Sequence, residues 1–157
     1  MNNKNTIITL KTLIQTLGRY KTAILLKDPP TIETNQIQDL ASTLSCHYLN
    51  LTTELLPQTI STNFSPTLGA YSFDDLLAWL LNKAKQPIMV DNIEALVATF
   101  GPNKAIRFFQ HLTRSEPKAA IIIVTYLQHQ IEAANFPTNR ILNLTANRSA
   151  TDVTSNY

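Results

Sequence analysis

Apolar residues in this chain follow two alternating rhythms. Short aliphatic runs recur, and between them apolar residues return every third or fourth position. Residues 6–18 set Ile7, Leu10, Leu13, Ile14 and Leu17 at helical spacing, with Gly18 as the stop. Residues 22–27 read as a buried strand. A helix over about 33–45 carries Ile37, Leu40, Ala41 and Leu44 on one face, and residues 47–51 read as a second strand. A helical turn near residues 53–56 and a long loop with Pro57, Pro66 and Gly69 come next. Ser72 and Asp75 make an approximate capping box for a helix over 73–85, whose apolar side is Leu76, Leu77, Trp79 and Leu80. A third strand is expected at 87–91, then a short helix at 92–100 ended by Gly101-Pro102. Another helix, at 103–115, has Ile106, Phe109 and Leu112 inward. Strand 119–125, a helical turn to about residue 134 and a last strand at 140–144 complete the series.

Strands with unbroken apolar runs need cover on both faces, and strands that alternate with helices build parallel sheets. The pattern predicts an α/β, three-layer domain over residues 1–144, with a mostly parallel sheet of about five strands, and a polar, frayed tail over 145–157. Length and composition agree: 157 residues, 44% hydrophobic and 15% charged, suit one packed domain. The net charge of +2 comes from dispersed basic residues and selects no partner class. Cys46, the single cysteine, excludes an internal disulfide and reads as a small core residue. There is neither a secretory apolar segment nor an 18-residue apolar run, so a cytoplasmic protein off the membrane is expected.

Three segments carry candidate chemistry. The turn after the first strand stands where a phosphate-binding loop of the form G-x-x-x-x-G-K-[ST] would lie. The matching eight residues run from Asp28-Pro29-Pro30 through Thr31 and Ile32 to Glu33-Thr34-Asn35. The Pro-Pro pair is in register, but both glycines, the lysine and the final hydroxyl residue are missing. Glycines let backbone N–H groups wrap phosphates, and Asp28 and Glu33 would repel a triphosphate. Thr34 takes the lysine's place, although Lys27 could in principle reach back over the loop. Next, the apolar strand ending at Asp91, followed by Asn92, Ile93 and Glu94, has the Walker B pattern, whose carboxylate holds Mg²⁺. Asp91 is a residual metal or polar-network carboxylate, or a cap of the next helix. Glu94 is a water-polarising base or a first-turn carboxylate. Last, residues 119–125 end in Thr125, a sensor-like position or an ordinary strand end. Arg114 is an arginine finger for a neighbouring subunit or a solvated cation at a helix end. Together these describe a P-loop NTPase-like domain with a degenerate Walker A loop. His47, His111 and His129 are scattered without ligand spacing, so no metal site is assigned to them.

The order of the A-like loop, His47-Tyr48-Leu49-Asn50-Leu51 with Glu54-Leu55-Leu56, Val90-Asp91-Asn92-Ile93-Glu94-Ala95-Leu96 and Leu112-Thr113-Arg114 resembles the BrxF family, the small P-loop proteins of type III BREX phage-defence systems. The resemblance covers roughly residues 20–126, and Asp91-Asn92-Ile93-Glu94 is its most specific piece. The chain departs from the family at the phosphate loop. What the resemblance implies is a cytoplasmic accessory subunit beside larger ATPase and methylase components, that is, protein partners in an antiviral complex.

Three functional readings follow. The favoured one is a non-catalytic pseudo-ATPase subunit working through protein contacts and needing no cofactor. Its candidate surfaces are the loop with Phe64 and Tyr71, and the helix with Arg107 and Arg114. A second is a nucleotide hydrolase using ATP and Mg²⁺ through an unorthodox or partner-completed loop. A third, less favoured than the first, is a nucleic-acid-binding module using the same sheet edge.

Overall fold

The aliphatic runs at residues 22–26 and 121–125 lie side by side in the middle of one sheet. The computed structural model describes residues 3–27, 34–54, 73–94, 97 and 101–143. Its elements are α1 (Asn3–Thr16), β1 (Thr22–Leu26), α2 (Thr34–Thr43), β2 (His47–Asn50), α3 (Phe73–Lys83), β3 (Ile88–Asp91), α4 (Pro102–Thr113), β4 (Ile121–Thr125), α5 (Gln128–Ala133) and β5 (Ile141–Asn143). The strand order is β2-β3-β4-β1-β5, and every pairing is parallel. The architecture is the α/β three-layer arrangement expected from the pattern, consistent with a P-loop-like fold.

Alternation along the strands divides the core. Ile24, Leu49, Ile88, Val90, Ile121 and Ile123 face one way and pack with Leu80, Phe108, Phe109, Leu112 and Ile131 from α3, α4 and α5. Ala23, Leu25, Met89, Ile122 and Val124 face the other way and pack with Leu10 of α1 and Ile37 and Ala41 of α2. The crossover from β1 therefore runs along one face toward β2, and the crossover from β4 along the other face toward β5. Where two neighbouring strands send their chains to opposite faces, a crevice opens outside their carboxyl ends. In this sheet it lies between β1 and β4.

Element limits differ from the sequence expectations by one to three residues at most ends. Two differences have local causes. Asn92 adopts φ 65°, a left-handed conformation that asparagine tolerates, so the chain turns there and helix appears only from Glu94. Arg140 is not in the last strand but ends a 3-10 turn over Thr138–Arg140, with 8% of its surface exposed. Its Nη1 donates to the Tyr20 carbonyl (2.9 Å) and Thr22 Oγ1 (3.1 Å), and its Nη2 to the Thr113 carbonyl (3.0 Å). The hydroxyl of Thr22 donates in turn to the Leu112 carbonyl at 3.0 Å. The end of α4, the start of β1 and the turn into β5 are thus fastened by one side chain, which stacks on Phe136 at 5.0 Å. Burial pushes the Arg140 guanidinium below its ordinary value.

Cys46 is buried, as expected of a core cysteine, and burial pushes its thiol up. No described helix is long and apolar enough to cross a membrane. The capping box at Ser72, the loop with Phe64 and Tyr71 and the tail from 145 fall outside the described residues.

Replacing Arg140 by Met should leave the Tyr20 and Thr113 carbonyls without this partner. The expected loss of stability is about 2–4 kcal/mol, since each unsatisfied buried group costs roughly 1–3 kcal/mol. Urea unfolding of both proteins checks it, and a change under about 0.5 kcal/mol would contradict the fastening role.

Candidate functional site

The polar residues that end β1, β2, β3 and β4 meet at the carboxyl edge of the sheet. Register brings them together: Asn50 lies opposite Asp91 across the β2–β3 pair, and Leu26 opposite Thr125 across the β1–β4 pair. The backbone N–H of Lys27 donates to the Thr125 carbonyl at 3.0 Å, which extends β1 by one residue beside β4.

Asp91 is 1% exposed. A carboxylate taken out of water needs partners for both oxygens. Its Oδ1 accepts from Lys27 Nζ at 3.2 Å and from the Asn92 N–H at 2.9 Å, and its Oδ2 accepts from the Tyr48 hydroxyl at 2.7 Å. The Lys27 side chain is itself only 10% exposed. Lys27, Asp91 and Tyr48 share the sheet face that α2 covers, by the alternation that puts Leu25 and Met89 there. Lysine's length matters because β4 separates β1 from β3: two strand spacings make about 10 Å of backbone separation. Asn92 turns its amide to Asn50 Oδ1 at 2.9 Å, and the same oxygen accepts from the Thr52 N–H at 3.0 Å.

Glu94 belongs to a second network. Its Oε2 accepts from the Thr125 hydroxyl and from the Tyr126 N–H at 3.0 Å, while Thr125 Oγ1 accepts from the Leu127 N–H at 3.2 Å. Thr125 continues the parity of Ile121 and Ile123, toward the layer of α3, α4 and α5. The two carboxylates of the Walker B-like segment therefore serve different networks.

Of the residues singled out in the sequence, Asp91, Asn92, Glu94 and Thr125 come together at this edge. Asp28, Pro29, Pro30 and Glu33 fall outside the described residues. Thr34 and Asn35 form the first turn of α2. Arg107 is exposed on α4, and Arg114, also exposed, ends α4 at the opposite end of the sheet from Asp91. The backbone donor to Asp91 among the described residues is the N–H of Asn92, the next residue. Sequence reasoning missed Tyr48 and did not foresee where Lys27 binds. A signal existed in both, since Tyr48 and Lys27 occupy the face-sharing parity of Asp91 near their strand ends.

A Walker B carboxylate ordinarily serves a divalent cation. The residues here do not fit one. Asp91 already carries an ammonium, and a divalent ion within ~4 Å of that charge would be repelled by on the order of 8 kcal/mol at an effective dielectric near 20. No group of three His, Cys, Asp or Glu among the described residues could hold a metal ion.

No protein-family model and no curated protein matches this chain. What the edge does has to be read from its own chemistry.

Lys27→Met should strand the Asp91 carboxylate and destabilise the protein by about 3 kcal/mol, as breaking one side of a buried pair does. Adding Asp91→Asn should recover at least half of that loss, because the stranded charge is gone. Chemical denaturation of the two single variants and the double variant measures the coupling; additive losses would mean that the pair does not interact.

Proposed function

We propose that this protein is a non-catalytic, P-loop-like accessory subunit that acts through protein contacts within a larger, ATPase-containing assembly. One observation carries the reading: Lys27 occupies the carboxylate that an NTPase would reserve for its metal. In that role the lysine is an internal replacement for the cation. It holds the carboxyl ends of β1 and β3 at their working separation without nucleotide. The lack of loop glycines and of the motif lysine in residues 28–35 supports the same view, since no backbone cradle for phosphates is encoded there. A shape kept by built-in contacts rather than by ligand suits a subunit whose use is its surface. The resemblance to BrxF proteins suggests phage defence as the setting.

A second reading has its own observation. Lys27 immediately precedes the loop sequence, so once released from Asp91 it is the nearest lysine available to a bound phosphate. The lysine would then be a displaced phosphate ligand, and the protein a hydrolase completed by a partner.

Calorimetry with Mg-ATP at millimolar concentration separates the two. The expected outcome is no binding with a dissociation constant below ~100 μM, a free energy of about −5.5 kcal/mol. Tighter binding that disappears in Lys27→Met would establish the second reading instead.

A further inference from the structure

The end of the sheet opposite the Lys27–Asp91 pair has a different electrostatic character. The turns that lead into β1, β3 and β4 carry Arg19, Lys21, Lys85, Arg114 and Lys118, and their one acid is Glu116. Lys83 adds a cation at the end of α3. At the carboxyl edge the order is reversed, with Glu54, Asp91 and Glu94 against Lys27 in the described turns. Folding thus gathers cations that are dispersed along the chain. Three lysines sit one per strand, before β3, β4 and β1, which are adjacent in that order. They form a row about 10 Å long on the strand lattice.

Helix dipoles explain part of this. α1, α2, α3 and α4 all end at this side of the sheet, and each helix end presents about half a negative charge. Four ends account for roughly two of the positive charges, which leaves an excess of about three. Internal pairing removes little more. Glu116 is taken by Arg19, and Lys21 Nζ donates to the Lys118 carbonyl at 3.3 Å, which leaves its charge uncompensated.

A second feature lies within the same surface. Tyr20 is 38% exposed, one of the few large apolar side chains that is among the described residues. The Arg19 guanidinium stands 5.5 Å from its ring centroid and that of Arg140 stands 6.0 Å away. An exposed ring set among cations is what single-stranded nucleic acid uses: phosphates follow the charges and a base stacks on the ring. An acidic protein would use the charges and have less need of the ring.

We infer that the amino end of the sheet, with Tyr20, Lys21, Lys85, Arg114 and Lys118, binds single-stranded nucleic acid, with Tyr20 as the base-stacking platform. This goes beyond the accessory role and is independent of it, since the surface shares no residue with the Asp91 network. About four phosphate contacts predict a slope near −3 for log affinity against log salt.

The test is fluorescence anisotropy with a labelled oligothymidylate of about twenty nucleotides, titrated from roughly 50 to 200 mM salt. Wild type is expected to bind with that slope. Lys85→Glu with Lys118→Glu should weaken binding at least about tenfold, and Tyr20→Ala about fivefold or more, without flattening the slope. Lys104→Glu, at the start of α4 near the other edge, should bind as wild type does. These positions are at the surface, and thermal unfolding confirms that each variant is folded. Any one of four results overturns the inference: no binding near 50 mM salt, no loss in the double variant, a duplex preference indifferent to Tyr20→Ala, or equally tight binding of polyglutamate.

Discussion

β4 sets the terms for the whole molecule. Its five residues, Ile121–Thr125, are all buried, and it has β3 on one side and β1 on the other. A strand apolar on both faces cannot be stable unless helices cover both. That requirement explains why α1 and α2 lie on one face and α3, α4 and α5 on the other. It also explains the polar edge. Chains leaving β1 and β4 must go to opposite faces, and the residues ending these strands are left around the gap.

At that gap the usual logic of a nucleotide site is inverted. Phosphates and a divalent ion normally arrive from solvent and neutralise one another, with the protein supplying a lysine and a carboxylate. Here lysine and carboxylate neutralise each other. Tyr48 and the Asn92 backbone add to the hydrogen bonding of Asp91, so both oxygens of the buried carboxylate have partners. Every hydrogen bond described at this carboxylate is supplied from within the fold.

The layers and strands were legible because their signals are local. The runs at 22–26 and 121–125 have no polar interruption, and the helix over 103–115 shows its face through Phe109 and Leu112. The grouping of Asp91, Glu94 and Thr125 was also legible, because Asp91 and Thr125 end strands, Glu94 follows Asp91 by three residues, and parallel strands end together. The particular contacts were not. Lys27 and Asp91 are separated in sequence by two crossovers and in space by β4, so only the strand order reveals that one reaches the other. The sequence pattern places Arg140 in the last strand. A guanidinium buried against backbone carbonyls leaves no acidic partner in the sequence to mark it. The clustering of basic residues was invisible for a similar reason: it arises when turns distant in the chain are stacked at one end of the sheet.

The position of β1 has a consequence for how the protein is made. Both of its neighbours, β4 and β5, come late in the chain, and Thr22 pairs with Ile121 roughly a hundred residues further on. A ribosome therefore releases a largely apolar, buried strand long before either flanking strand exists. Until then, α1 and α2 can shelter only one of its faces, and both hydrogen-bonding edges stay open. The open edges of β1 favour mispairing in the nascent chain, and the native sheet closes only once β4 and β5 have emerged.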